Sequence, residues 1–235
     1  MDNHLYQFSL LNALMDGVSE SGVSVASFQQ KGNQGLGTFS RMDGELVLLD
    51  GVVYKLQAHG QVSVARPDEQ IPYGVAIHLV PHETRSVELP DKASVDHVLD
   101  HISASRATNL FLAYRIVGRF RRLTARTVRG QQYRGQPLSE LKDHQYVNDY
   151  ADLDAVVVGF RSPSAWQGFA VAGEHLHFIS ADRTSGGHVL DLQSDGPVSI
   201  SFAVASHIHV ELPTTDDFNA APLKLDVRGI ERAEG

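Results

Sequence analysis

The chain has 235 residues, of which 42% are hydrophobic and 20% charged. That is enough for one large domain or two small ones, with a real core and no compositional disorder. Lys and Arg number 20 against 28 Asp and Glu, a formal net charge of −8, which argues against nucleic acid or an anionic membrane as the main partner. The absence of Cys excludes disulfide scaffolds, thiolate zinc sites and cysteine nucleophiles.

No apolar run approaches a membrane span. The opening MDNHLYQFSLLNALMDG shows neither a basic n-region nor a cleavage-like site, so the expectation is a cytoplasmic protein without a secretory signal. Twelve His are the unusual feature, and they cluster.

Residues 5–16 read as a short helix: Leu5, Phe8, Leu11, Leu14 and Met15 recur at helical spacing, and Asp16-Gly17 stops the run. Residues 22–65 change period. The runs VSVASF, GTFS, ELVLLD, VVYKL and VSVA are β-branched or alternating and read as strands. Met42-Asp43-Gly44-Glu45 gives the clearest hairpin signal, because Asp-Gly suits a two-residue turn. A strand is expected over 73–80. Ser94 is the expected N-cap of a second helix carrying Val95, Val98, Leu99 and Ile102 on one face.

Residues 109–120, NLFLAYRIVGRF, read as a buried strand continued in alternation to Val128. Residues 137–144 read as a short helix, with Pro137 where a first turn tolerates it. The chain then returns to strands through AVVVGF, GFAVAGEHLHFIS, HVLDL and VSISFAVASHIHVELP. The fold class expected is α+β: two sheet-rich halves with mixed or antiparallel sheets and a few short helices. The 235 residues read as one unit, with any sub-domain boundary near 130–150.

The most informative stretch is GEHLHFISADRTSGGH, residues 173–188. On a strand, residues i and i+2 share a face. His175 and His177 therefore project together, with Leu176 and Phe178 turned to the other side. The turn-rich ADRTSGG lets a hairpin bring His188 back beside the pair. Three neutral imidazoles suit a divalent transition metal, zinc first, and leave a coordination position open for chemistry.

Other His groups carry less. His207 and His209 repeat the HxH spacing but lack a glycine-turned third His, and they read as a solvated strand face. His78 and His82 straddle Pro81, which disfavours a helical ligand pair. His97 and His101 have i,i+4 spacing and read as the polar face of the second helix. Glu45 opens a buried strand, where an acid is ordinarily solvated unless a cation waits beside it. Arg122, Thr124 and Arg126 share one face of an alternating run, so one guanidinium can point inward. The glycines of GNQGLGTF are followed by neither Lys-Ser/Thr nor a helix, so they make no phosphate loop.

Taken together these pieces resemble the α-acetolactate decarboxylase family. The resemblance rests on QFSLLNALMDG, GLGTFSRMDGELVLLDGVVYKL, NLFLAYRIVGRF, ARTVRGQ, VVVGFRSP, GEHLHFISADRTSGGHVLD and LPTTDDFNAA, which follow the family's order along nearly the whole chain. It implies a catalytic zinc ion held by His175, His177 and His188. It also implies a functional Glu in the GEL segment, here Glu45, and an Arg in the RTV segment, here Arg126. A further Glu near the C-terminus is implied, for which the tail offers Glu231 and Glu234; Glu234, in the closing EG, is the choice. Where the family usually has an aromatic residue before HLHF, this chain has Glu174, which alternates away from the metal face.

The activity implied is decarboxylation of 2-acetolactate to acetoin and CO2. The electrons left by CO2 pass to the neighbouring ketone as a metal-chelated enediolate, which a carboxylic acid, Glu45 or Glu234, protonates. Arg126 would orient the substrate carboxylate. No organic cofactor is needed, since the substrate carries its own electron sink. The partners implied are the small-molecule substrate and a second copy in a homodimer, with no nucleic acid and no membrane. Two other classes remain open from the residues alone: a metal-dependent lyase or hydrolase on another small hydroxy-keto acid, and a non-catalytic metal- or ligand-binding module.

Overall fold

The computed structural model describes residues 2–103 and 107–234, and all their side chains except those of 102, 103, 142–144 and 231–234. In chain order the strands are β1 (His4–Phe8), β2 (Val23–Ser24), β3 (Gln34–Thr38), β4 (Glu45–Leu49), β5 (Val52–Leu56), β6 (Val62–Val64), β7 (Gln70–Ile71) and β8 (Tyr73–Ile77). They continue with β9 (Glu83–Val87), β10 (Phe111–Val128), β11 (Gln145–Ser162), β12 (Gly173–Ser180), β13 (Gly186–Ser194), β14 (Val198–Ala205) and β15 (His207–Glu211). The α-helices are α1 (Leu11–Met15), α2 (Val25–Phe28), α3 (Ala93–Ser103), α4 (Asp216–Ala220) and α5 (Val227–Glu234).

A seven-stranded mixed sheet runs β15-β1-β8-β3-β4-β5-β6, and a six-stranded antiparallel sheet runs β11-β12-β13-β10-β14-β9, with β10 also pairing with β11. This is the α+β architecture expected, with few short helices. Packing explains the sequence patterns. One face of the first sheet (Val47, Leu49, Val75, Ile77) and one face of the second (Ala113, Val158, Ile179, Ala203) meet in a common core. The opposite face of the first sheet packs on Val25 and Phe28 of α2. That of the second packs on Val95 and Leu99 of α3. Strands buried on both faces lose their alternation, and all five residues of β4 are buried.

The same two-sided burial overturns the helix expected over 5–16. Leu5, Tyr6, Gln7 and Phe8 are all buried in β1, between β15 and β8, so their apolar spacing mimicked a helical stripe. The helix is confined to Leu11–Met15, and Gly17 at φ +83 follows it. VSVASF is not one strand either. After Ser24 the chain turns into α2, with the Ser24 hydroxyl accepting the Ser27 N–H at 3.2 Å as an N-cap.

The two-residue hairpin turn is also displaced. Thr38 pairs with Glu45, so residues 39–44 form a longer connection that includes a 3-10 turn. The tight turn is Asp50-Gly51, where Leu49 pairs with Val52 and both turn residues have positive φ, as a type I′ turn requires. Helix α3 is capped by Asp91, whose carboxylate accepts the Ser94 N–H at 2.9 Å, and Ser94 lies inside the helix. The helix expected at 137–144 is a 3-10 helix, Leu138–His144.

A three-histidine cavity between the two sheets

Strand β10 delivers Arg126 to the inter-sheet space by a change of parity. Before residue 121 its even-numbered residues, Leu112, Tyr114, Ile116 and Phe120, lie in the core under α3; after it Leu123 and Ala125 do. The register against β13 shifts between Phe120 and Arg122, the mark of a bulge, which re-aims the side chains that follow. Thr124 and Arg126 thus turn towards the first sheet. Arg122 stays exposed on Asp191, and Arg126 is the buried guanidinium of the trio, 5% exposed.

Strand β12 keeps the expected alternation. Leu176 and Phe178 are fully buried in the core under α3, so His175 and His177 face the first sheet. The β12–β13 hairpin places His188 directly opposite His177, and β13 places it opposite Arg126 on β10. The turn between the strands is held by Asp182, whose carboxylate accepts from Ser180 Oγ and from Thr184 N and Oγ1.

The three imidazoles converge. Their centroids are 5.1, 5.1 and 5.3 Å apart, one ligand nitrogen of each lies within 4.8 Å of the others, and all three residues are buried. His177 Nδ1 lies 2.8 Å from the Leu46 carbonyl of β4. A carbonyl only accepts, so Nδ1 carries the proton and Nε2 keeps its lone pair, the arrangement that orients a metal-ligating imidazole. Burial, and then the charge of Arg126, push His175 down to about 3 and hold His188 well below its ordinary value. Near neutral pH these two rings are therefore uncharged and able to donate.

Glu45 opens β4 on the face of Val47 and Leu49, the face that meets the second sheet. Its carboxylate lies 3.5 Å from Arg126 Nη1 and 3.6 Å from His177 Nε2. The cation that would make this acid more than a solvated edge residue is thus present. Glu45, Arg126, His175 and His177 line a small cavity whose apolar wall includes Leu11, Leu14 and Leu138. Thr38 and Tyr73 also line it and were not singled out from the sequence. Thr38 was within reach, being opposite Glu45 once β3 and β4 are paired in the right register; nothing local marks Tyr73. The side chains of Glu231 and Glu234 lie outside the described residues.

Among the described side chains, the other histidines singled out from the sequence stay apart from the cavity. His207, His209, His78, His97 and His101 are exposed. Glu174 does turn away from the imidazoles, as expected. It reaches the core behind them, where its carboxylate accepts the Tyr114 hydroxyl and lies 3.5 Å from Arg161 Nε.

A buried three-imidazole centre with a carboxylate, a guanidinium and a small, largely apolar cavity defines a candidate metalloenzyme site on an α+β two-sheet scaffold. Comparison with known proteins gives the family. The profile of the family described as alpha-acetolactate decarboxylase matches residues 5–225. The alpha-acetolactate decarboxylase of Klebsiella aerogenes is 36% identical over 236 residues, covering 98% of this chain and 90% of that protein. That of Bacillus subtilis strain 168 is 32% identical, covering 99% and 91%. The crystal structure of alpha-acetolactate decarboxylase from Bacillus subtilis strain 168 superposes with a TM-score of 0.93 at 30% identity, covering 99% of each chain. The chain belongs to the alpha-acetolactate decarboxylase family and is an enzyme of the carboxy-lyase class. Among the described residues no helix is long and apolar enough to cross a membrane.

Proposed function

We propose that this chain decarboxylates 2-acetolactate to acetoin and CO2 at a zinc ion held by His175, His177 and His188, in the cytoplasm. The observation that carries the reading is the convergence of three buried imidazoles, two of which, His175 and His177, line one cavity with Glu45 and Arg126. The donor set fits the ion. Two of the imidazoles are held neutral, the third has its ligand nitrogen selected by the Leu46 carbonyl, and three nitrogen ligands leave a position for substrate. When bound, the ion supplies the Lewis acidity that a decarboxylation needs at the ketone beside the breaking bond.

The protein's own groups do the rest. Arg126 presents a planar guanidinium to the substrate carboxylate and sets the plane in which the C–C bond breaks. The bond electrons stay on the substrate as CO2 leaves, and a proton must then reach the carbon that lost it. Glu45 stands beside the imidazoles and is the proposed holder of that proton, with Glu234 as the proposed second carboxylate of the site. Leu11, Leu14 and Leu138 exclude water, which suits a reaction that turns an ionised carboxylate into a neutral gas.

The test is CO2 release from 2-acetolactate by protein stripped with a chelator and then reloaded with zinc. Activity should vanish and return. In Glu45→Gln the ion should stay bound while turnover falls by roughly two orders of magnitude or more, the usual scale of a lost general acid. Turnover unchanged after stripping would overturn the metal role; a zinc-replete protein that leaves 2-acetolactate unconsumed would overturn the substrate.

A further inference from the structure

A second gathering of imidazoles stands on the motif that the cavity does not use. Strand β15 is an edge of the seven-stranded sheet and runs parallel to β1, pairing His4 with His207 and Tyr6 with His209. In-register neighbours share a face, and so do residues two apart on one strand. His4, His207 and His209 therefore project from the same side. This is the side on which Tyr6 packs with Phe28 of α2, opposite to the one bearing the catalytic cavity. The His4 and His207 rings lie stacked, with centroids 4.4 Å apart and planes 4° from parallel. His209 stacks on Tyr6 at 5.8 Å. His207 and His209 are exposed and His4 is half-buried. The charges beside this face compensate one another: Lys31 lies over the Tyr6 ring and 4.0 Å from Glu211, which accepts the Tyr6 hydroxyl at 2.7 Å.

We propose that His4 and His207 form a surface site for a divalent transition-metal ion. Hydrogen-bonded strands lie about 4.8 Å apart, so two imidazoles on adjacent strands can share an ion at metal–nitrogen distances of about 2.0–2.1 Å. Stacked rings hold their lone pairs in parallel planes, so binding turns the rings about the Cβ–Cγ bond and separates them. The exposure of His207 leaves room for that movement. An all-imidazole donor set selects zinc, nickel or copper over magnesium or calcium, and water fills the remaining positions. The ion would bridge the edge strand to its one neighbour in the sheet. It would thereby pin β15, from which the chain leads on to α4 and α5, and stabilise the folded state by mass action.

The experiment starts from protein dialysed to one zinc ion per chain and titrates further Zn2+ by calorimetry. The wild type should take up one more ion, more weakly than the first. His207→Gln should weaken that uptake by tenfold or more, and His4→Gln should do the same. Both variants should keep the first ion and release CO2 at the wild-type rate, which separates this site from the catalytic reading. His97→Gln, on the exposed face of α3, serves as the control for adventitious binding. No second uptake in the wild type, uptake equal in wild type and His207→Gln, or a loss caused by His97→Gln instead would each overturn the proposal.

Discussion

Removing the guanidinium while leaving its carboxylate partner in place is the sharpest perturbation of the cavity. In Arg126→Met, Glu45 keeps its position at 7% exposure but loses the charge 3.5 Å away. With an effective dielectric constant of about 20, a pair at that separation is worth about 5 kcal/mol. Breaking one partner of a buried pair typically costs about 3–5 kcal/mol. For a chain of this size each kcal/mol moves the melting midpoint by roughly 2–4 °C, so a fall of roughly 6–20 °C is expected. The double variant Arg126→Met/Glu45→Gln removes both charges and should recover a large part of the loss, since the penalty lies in the stranded charge rather than in the absent bond. Thermal unfolding of the metal-free wild type, both single variants and the double variant closes the cycle. A fall below about 1 kcal/mol in Arg126→Met, or no recovery in the double variant, would show that the two groups are not coupled.

Glu174 gives a pH-dependent prediction. Burial raises its carboxyl from 4.5 to about 8, so the folded state keeps a proton that the unfolded chain releases. Its contribution to stability therefore declines as pH rises from about 4.5 to about 8. Glu174→Gln retains an acceptor for the Tyr114 hydroxyl and abolishes that decline, so the variant should gain on the wild type by a few kcal/mol between pH 5 and pH 8.5. Melting midpoints with parallel pH slopes would refute this. Gly187 is a packing test: a Cβ there would stand 2.8 Å from the Arg126 carbonyl oxygen and 3.2 Å from the Ala125 Cβ. Gly187→Ala must push β13 from β10 beside both Arg126 and His188. A destabilisation of roughly 1–3 kcal/mol is expected, with zinc affinity weakened by tenfold or more; affinity equal to the wild type would show that the hairpin tolerates the shift.

The three-histidine cluster was legible because its geometry is local. HxH on an alternating strand, followed by a glycine-bearing turn and a third His, needs only the strand period and one hairpin to converge. Glu45 and Arg126 were legible as candidates but not as a pair. They lie 81 residues apart, and what joins them is the packing of two sheets, together with the bulge that reverses the parity of β10. The Leu46 carbonyl that orients His177 leaves no mark in the sequence, since any residue offers one. The misread elements share a cause. Leu5, Tyr6, Gln7 and Phe8 are buried whichever face they take, so the run carries no period that separates strand from helix. Asp43-Gly44 and Asp50-Gly51 are the same dipeptide, and the pairing of Thr38 with Glu45 and of Leu49 with Val52 decides which forms the tight turn.

X-ray absorption spectroscopy of the zinc-loaded enzyme bears most directly on the centre itself. One ion per chain with three imidazole nitrogens at about 2.0–2.1 Å and the rest of the shell made of oxygen is the predicted spectrum, with one imidazole fewer in His188→Ala. An ion surrounded mainly by oxygen, or a spectrum that His188→Ala leaves unchanged, would contradict a catalytic centre built on these three rings.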